Sequence, residues 1–234
     1  MENLTLRPIL SNLREALGEL ERTHERLHFL TFGELPEDCH WLGDASDCIA
    51  RLRRQESRNP LDEMTLFTSF EHAYHHLNWA WNCRRTPEER VRRCADNDAS
   101  RWTRFPDTAV FADLWPCDVK VRKRVGELQS GKVSLTPVRL AVYMACRKLR
   151  ILCYLVALRL GEEMDRPQSL KPGVDALPLT EKVFAYHLHC VYSELNTAWN
   201  SRKDKTFLTS KRAIARRKLY PSIFATGCHN MWRK

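Results

Sequence analysis

A duplicated segment constrains the fold of this chain more than any other feature of its sequence. Residues 60–86 align with residues 178–204 without a gap, at an offset of 118 residues. Both copies contain the pattern Y-x-x-L-N-x-A-W-N-x-R, which starts at Tyr74 in the first copy and at Tyr192 in the second. Each copy reads as a helix, because the Tyr, Leu, Trp and Arg of the pattern fall on one helical face. An internal repeat of this length predicts two similar structural units.

The apolar pattern elsewhere predicts further helices and no sheet. Leucines at positions 6, 10, 13, 17, 20 and 27 form one stripe of a long first helix that should end near Gly33. A short helix is expected around residues 49–55, and a second long helix from Thr136-Pro137 to Leu160. Alternating β-branched runs bounded by hairpin turns are absent from the sequence. We therefore predict an all-α fold in which two tandem helical repeats, each a long helix pair plus short helices, pack as a pseudo-twofold bundle.

The domain boundaries follow from the sharpest change in composition, which lies between the two copies. We expect a first helical repeat at residues 1–115, a basic linker at 116–136 and a second repeat with a basic C-terminal segment at 137–234. Nine cysteines without a regular spacing, and no secretory signal, favour a reduced cytoplasmic location. The longest apolar segment, Leu140 to Leu160, is interrupted by charged residues, so we expect a core helix and no membrane partner.

The polar residues that the two copies share have a structural and a functional interpretation. Asn78 and Asn82, like Asn196 and Asn200, are poor helix formers, so a hydrogen-bonding role must retain them. They could present an amide patch to nucleic-acid bases or phosphates. We favour the structural interpretation, in which they bond a loop or the partner helix while the Trp packs in the core and the Arg bonds a carbonyl oxygen. Function is then expected where the copies differ.

Histidines are the clearest difference between the copies. His72 and His76 lie four residues apart beside Glu71 and His75, a spacing that could hold a metal ion. We expect instead that they hydrogen-bond neighbours at the edge of the core. The sequence also has no C-x-x-C pair for a zinc ribbon. We therefore expect no bound metal and no cofactor.

Two short patterns in the first helix would imply an enzyme. His24-Glu25-Arg26-Leu27-His28 resembles the H-E-x-x-H signature of zinc proteases, in which the two histidines bind zinc and the glutamate is the general base. That resemblance implies a zinc hydrolase centred on His24, Glu25 and His28, although Arg26 would repel the metal. Arg22 and His28 resemble the R-x5-H signature of the all-α HEPN ribonuclease families, which implies RNA cleavage.

Basic segments that follow both copies of the duplicated helix favour a different function. The formal net charge of +9 suits a polyanionic partner. Trp102 and Tyr220 lie among these cations, as a surface that stacks single-stranded bases requires. We expect ten cations to contact nucleic-acid phosphates: Arg92, Arg93, Arg122, Lys123, Arg124, Lys211, Arg212, Arg216, Arg217 and Lys218.

Together these features predict a non-enzymatic protein that binds a nucleic-acid backbone, RNA or DNA, as an accessory subunit of a larger cytoplasmic assembly with other protein subunits. A protein–protein adaptor that docks its basic face on an acidic partner is the first alternative. A HEPN-like ribonuclease or a zinc hydrolase centred on His24, Glu25 and His28 is the second. No catalytic residue is assigned under the leading prediction.

Overall fold

The computed structural model describes residues 4–36, 45–104 and 133–202. They form seven helices packed in a bundle and no strand, so the all-α prediction is confirmed. The helices are α1 (Leu6–Phe32), α2 (Ala45–Arg58), α3 (Glu63–Asn82), α4 (Glu88–Arg93), α5 (Asp96–Trp102), α6 (Leu135–Leu160) and α7 (Glu181–Ser201).

The bundle is built on the two longest helices, α1 and α6, which pack along each other. Helix α3 lies against α1, and α7 lies against α6. Five of the six leucines predicted to form the stripe of α1 are buried, and Leu6 is partly buried. Cys146 and Cys153 are buried in α6 among apolar side chains, as their sequence context predicts.

Both long helices end at a glycine that adopts the left-handed conformation. Gly33 has φ of 79° after α1, and Gly161 has φ of 69° after α6. A residue with a Cβ atom would be strained at either position, so glycine is the ordinary choice for this helix ending. The predicted ends of both helices are therefore confirmed.

Each of the duplicated helices begins three residues after the proline that opens its repeated segment. Helix α3 begins at Glu63 and α7 at Glu181, so Pro60 and Pro178 precede the helices and do not lie in the first turn. The Asp62 side chain accepts a hydrogen bond from the Thr65 amide, and the Thr180 side chain accepts one from the Val183 amide. These caps satisfy amides that have no partner inside the helix, and they fix where each helix starts.

The shared asparagines make the structural contacts that the sequence favours. Asn78 donates to the carbonyl oxygen of Thr103 at 2.8 Å and accepts from the Tyr192 hydroxyl at 2.6 Å. Asn82 donates to the carbonyl oxygens of Trp102 and Arg104. These amides therefore hold the end of α5 and the residues after it against α3, and the bond from Asn78 satisfies a buried carbonyl oxygen.

Two salt bridges join the helices of the duplicated pair to each other in reciprocal fashion. Arg84, just after α3, binds Glu181 at the start of α7 at 2.5 Å. Arg202, just after α7, binds Glu63 at the start of α3 at 2.6 Å. Each guanidinium also donates to the carbonyl oxygen of the Trp three residues before it and stacks over that indole ring. The two ends of this helix pair are thus closed by matching contacts.

Candidate nucleic-acid interface

Helix α4 places two of the predicted phosphate contacts on the surface. It is a six-residue helix with no buried residue, and it ends at Cys94, whose φ is 30°. Arg92 and Arg93 are both exposed on it. The other eight predicted contacts lie outside the described residues: Arg122, Lys123, Arg124, Lys211, Arg212, Arg216, Arg217 and Lys218.

A pocket of about 410 Å³ lies between α4, the start of α1 and the second half of α3. A hydrogen bond from the Thr5 amide to the Arg84 carbonyl oxygen, 2.8 Å long, holds the start of α1 against the end of α3. The pocket combines cationic, aromatic and small polar side chains, among them Arg7, Asn12, His75, Trp79 and Arg92. Glu88 also lines it and accepts a 2.6 Å hydrogen bond from Arg92, whereas Arg7 has no acidic partner among the residues that the structure describes.

The aromatic side of this pocket is formed by consecutive turns of α3. The ring centroids of His75 and Trp79 lie 5.6 Å apart, and both side chains are partly exposed. Trp79 in turn packs on Trp102, with ring centroids 5.3 Å apart. The indole N–H of Trp79 has no acceptor among the described residues. A partly exposed indole next to cations can stack a planar base.

Trp102 itself is not available for stacking, which corrects the interpretation of its position among the basic residues. It is only 2% exposed, and Asn82 binds its carbonyl oxygen. An indole in a short helix next to the core gains more from burial against Trp79 than from exposure to water. The sequence neighbours of Trp102 are charged, so its burial could not be read from local composition.

The histidines near this pocket behave as residues at the edge of the core. Nδ1 of His76 lies 3.1 Å from Oδ1 of Asn12. Burial lowers the pKa of His76, and this outweighs the opposing effects of Glu15 and Glu19. A neutral imidazole at neutral pH follows. In the part of the chain that the structure describes, no group of three His, Cys, Asp or Glu side chains could hold a metal ion.

Ion pairs already engage several of the cations that follow α3. Arg84 and Arg85 both bind Glu181, and Arg90 binds Asp98 at 2.8 Å. This pairing favours the ionised form of Glu181. Burial raises the pKa of Glu181, but the guanidinium groups of Arg84 and Arg85 lower that pKa by more, so the pKa lies below its ordinary value. The basic surface after α3 is therefore narrower than the sequence indicates.

Four of the five residues of the zinc-protease pattern, those at positions 24–27, are buried, and His28 is partly exposed. Glu25 is 1% exposed and lies 3.8 Å from the Arg51 guanidinium. His24 packs against the Tyr143 ring, and Arg26 binds Glu56 and the Asn59 carbonyl oxygen. His28 contacts the Glu34 carbonyl oxygen through Nδ1 at 3.0 Å. This arrangement is typical of a packed helix that anchors α2 and the start of α3.

The two residues of the HEPN pattern have separate partners. Arg22 is exposed and binds Glu19 at 2.6 Å, one turn earlier in the same helix. His28 binds the backbone beyond the end of α1 and packs on Phe32, with ring centroids 4.8 Å apart. The structure therefore gives these two side chains local roles in α1.

The sequence did not predict that Arg7, His75 and Trp79 lie together. It did show that His75 and Trp79 are positions at which the two copies differ. The second copy of the duplicated helix has Ser193 and Thr197 where the first has His75 and Trp79. Both aromatic residues thus belong to the unshared positions where function is expected. Their pairing with Arg7 depends on how α1 and α3 pack, which the sequence does not state.

No described helix combines the length and the apolar composition needed to cross a membrane. Comparison of this chain with protein-family models, with curated proteins and with solved structures finds no match.

Proposed function

We propose that this protein is a non-enzymatic accessory subunit of a larger cytoplasmic assembly and that it binds the backbone of a nucleic acid. The observation that carries the proposal is the pocket in which Arg7 and Arg92 lie beside the partly exposed rings of His75 and Trp79. Cations next to a partly exposed aromatic ring suit single-stranded DNA or RNA, because phosphates and bases can then be bound together. We therefore place a single strand across α4.

The proposed path of the strand continues from this pocket along the basic segments. Arg92 and Arg93 contact phosphates next to the base that stacks on Trp79. The linker and the C-terminal segment supply the remaining contacts through Arg122, Lys123, Arg124, Lys211, Arg212, Arg216, Arg217 and Lys218. Binding of this kind depends on counterion release and does not read base sequence.

The same proposal includes an architecture of two tandem repeats, residues 1–115 and 137–234, joined by the basic linker at 116–136 and related by a pseudo-twofold axis. Support comes from contacts between equivalent residues. Tyr74 and Tyr192 occupy the same place in the two copies, and their rings stack with centroids 5.3 Å apart. A twofold axis brings equivalent residues of the two copies into contact near its centre.

A second pair supports this axis from the other helices. Glu21 lies 13 residues after Pro8, and Arg150 lies 13 residues after Pro137, so the two hold matching positions in α1 and α6. Arg150 binds Glu21 at 2.8 Å. The reciprocal pairs Arg84–Glu181 and Arg202–Glu63 are the arrangement that such an axis generates away from its centre.

The test is the affinity for a labelled single-stranded oligonucleotide, measured by fluorescence anisotropy over a series of salt concentrations. We expect the logarithm of affinity to fall steeply with the logarithm of salt. Replacing Arg7 and Arg92 together by Ala should reduce that slope by roughly 1.4, since each lost phosphate contact contributes about 0.7. The control removes two exposed arginines elsewhere, Arg14→Ala with Arg166→Ala, and should leave the slope nearly unchanged.

Affinity that does not depend on salt, or equal losses in the two double variants, would overturn the proposal. A lack of binding to any oligonucleotide at low salt would do the same. Co-purification of an acidic protein after nuclease treatment, with no oligonucleotide bound, would show that the basic face docks on protein instead.

A further inference from the structure

A second cavity lies between α6, α7 and the connection that joins them. Its volume is about 670 Å³, within the range of roughly 300–1,000 Å³ that small-molecule sites occupy. It shares no lining residue with the pocket on α4. A ligand of this cavity would therefore bind independently of the contacts proposed for nucleic acid at α4.

The walls of this cavity are mostly apolar. Ile151 of α6, Leu170 and Val174 of the connection, and Val183 of α7 line it. Leu177 is 53% exposed and Tyr186 54% exposed at its edge, so large apolar surfaces face water there. Covering such surface with an apolar ligand is favourable by about 25 cal/mol per Å².

The connection that forms one wall is held by specific hydrogen bonds. Arg159, in the last turn of α6, donates to the carbonyl oxygens of Asp175 and Leu177. Arg166 donates to the Asp175 carboxylate at 3.1 Å and to the carbonyl oxygen of Lys171. These bonds organise the segment before a ligand arrives, which lowers the entropy that binding would cost.

The charged groups around the cavity all have one sign. Lys148, Lys171 and Lys182 line it, and none of the lining residues is acidic. Lys148 binds Glu194 at 2.6 Å, so its charge is already matched. Lys171 and Lys182 are exposed, one on the connection and one on the first turn of α7. The rim is therefore complementary to an anion, while the interior is complementary to a hydrocarbon.

We propose that this cavity binds a small anionic amphiphile, with its hydrocarbon chain between α6, α7 and the connection and its head group at Lys171 and Lys182. A carboxylate and a phosphate monoester share the required chemistry. Cys190 lies in the wall of the cavity and is partly buried, so a bound chain would cover its thiol.

The experiment uses the full chain and four ten-carbon probes: decanoate, decyl phosphate, decan-1-ol and decyltrimethylammonium. Titration calorimetry measures affinity, and mass spectrometry follows alkylation of individual cysteines by N-ethylmaleimide. Cys94 has the same partly buried character but lies at the end of α4, so it is an internal control in the same tube. We expect decanoate or decyl phosphate to bind and to slow alkylation of Cys190 several-fold without affecting Cys94. The stronger of the two anions identifies the head group.

Two variants separate the roles of charge and cavity. Lys171→Ala with Lys182→Ala should weaken the anions about three- to tenfold, because that change corresponds to roughly 0.3–0.7 kcal/mol for each exposed charge pair, and should leave decan-1-ol unchanged. Arg53→Ala with Arg54→Ala removes the same charge from the exposed face of α2 and should have no effect. Val174→Trp should fill the cavity and abolish binding of every probe.

Three results would overturn the proposal. The first is no heat of binding for either anion below its micellar concentration. The second is binding that persists in Val174→Trp or protects Cys94 as strongly as Cys190. The third is equal affinity for decyltrimethylammonium, which would show that the rim does not select an anion.

Discussion

The Tyr74 hydroxyl donates a 2.5 Å hydrogen bond to Oδ1 of Asn196, across the interface between the two duplicated helices. The reciprocal bond, from Tyr192 to Asn78, is 2.6 Å long. Tyr74, Tyr192, Asn78 and Asn196 are all almost completely buried. The most strongly repeated residues therefore bind each other and not an external ligand, which explains why both copies retain them.

Replacing either tyrosine by phenylalanine should destabilise the protein by about 1–3 kcal/mol, because it leaves a buried amide oxygen without a donor. Tyr74→Phe and Tyr192→Phe should have similar effects, since the two bonds are reciprocal. Urea unfolding followed by circular dichroism measures both. Tyr143→Phe, at a partly exposed ring that packs on His24, is the matched control and should change stability by less than about 0.5 kcal/mol. Clearly unequal costs for Tyr74 and Tyr192 would contradict the equivalence of the two copies.

The reciprocal ion pairs give a second prediction. Glu181→Gln and Glu63→Gln should each cost about 1–3 kcal/mol, because Arg84 and Arg202 are each only 18% exposed and lose their counter-ion. Arg85, which also binds Glu181, is mostly exposed and should add little to the cost. Glu19→Gln, which breaks the more exposed pair with Arg22, should cost less than about 0.5 kcal/mol. Thermal unfolding of the three variants decides the matter. Equal and small effects would mean that these pairs close the helix ends without stabilising them.

The sequence was sufficient to predict the four long helices and the position of α2, because apolar spacing, helix-ending glycines and the duplication act locally or by direct comparison. The interpretation of Asn78 and Trp81 as packing residues was also accessible, since both copies keep them while their neighbours change. The hydrogen-bond partners of the repeated residues could not be predicted from the sequence. Tyr74 binds a residue 122 positions away, and only the packing of four helices brings them together.

The candidate interface was predicted less completely for a related reason. Helix α4 has no buried residue and is only six residues long, so it leaves no periodic apolar signal. Trp102 shows the opposite case, in which a charged sequence neighbourhood concealed a buried ring. The exposure of α4 and the burial of Trp102 both depend on which helices pack together, and local composition contains no information on helix packing.

Acid should destabilise this protein through His189. Burial, with a smaller contribution from Lys148, lowers the pKa of His189 to about 4. The unfolded chain then binds more protons than the folded one between about pH 6.5 and 4, so the free energy of unfolding falls as the pH falls through that range. Urea unfolding at several pH values measures this slope. His189→Gln should make it shallower, whereas a slope identical to that of the unmodified protein would show that His189 does not titrate as its burial implies.

The C-terminal cations provide the last prediction, which concerns how phosphate contacts divide between the basic segments. Replacing Arg212, Arg216 and Arg217 together by Ala should reduce the salt slope of oligonucleotide binding by roughly 2, because each contact to a single strand contributes about 0.7. Arg92→Ala with Arg93→Ala should reduce it by roughly 1.4 for the same reason. If one strand spans both segments, the two reductions should add when the variants are combined, since they remove separate counterion sites. Anisotropy titrations at several salt concentrations supply the slopes, and Arg53→Ala with Arg54→Ala controls for the loss of net charge. A combined variant with no larger effect than the C-terminal triple would place the strand on the C-terminal segment alone.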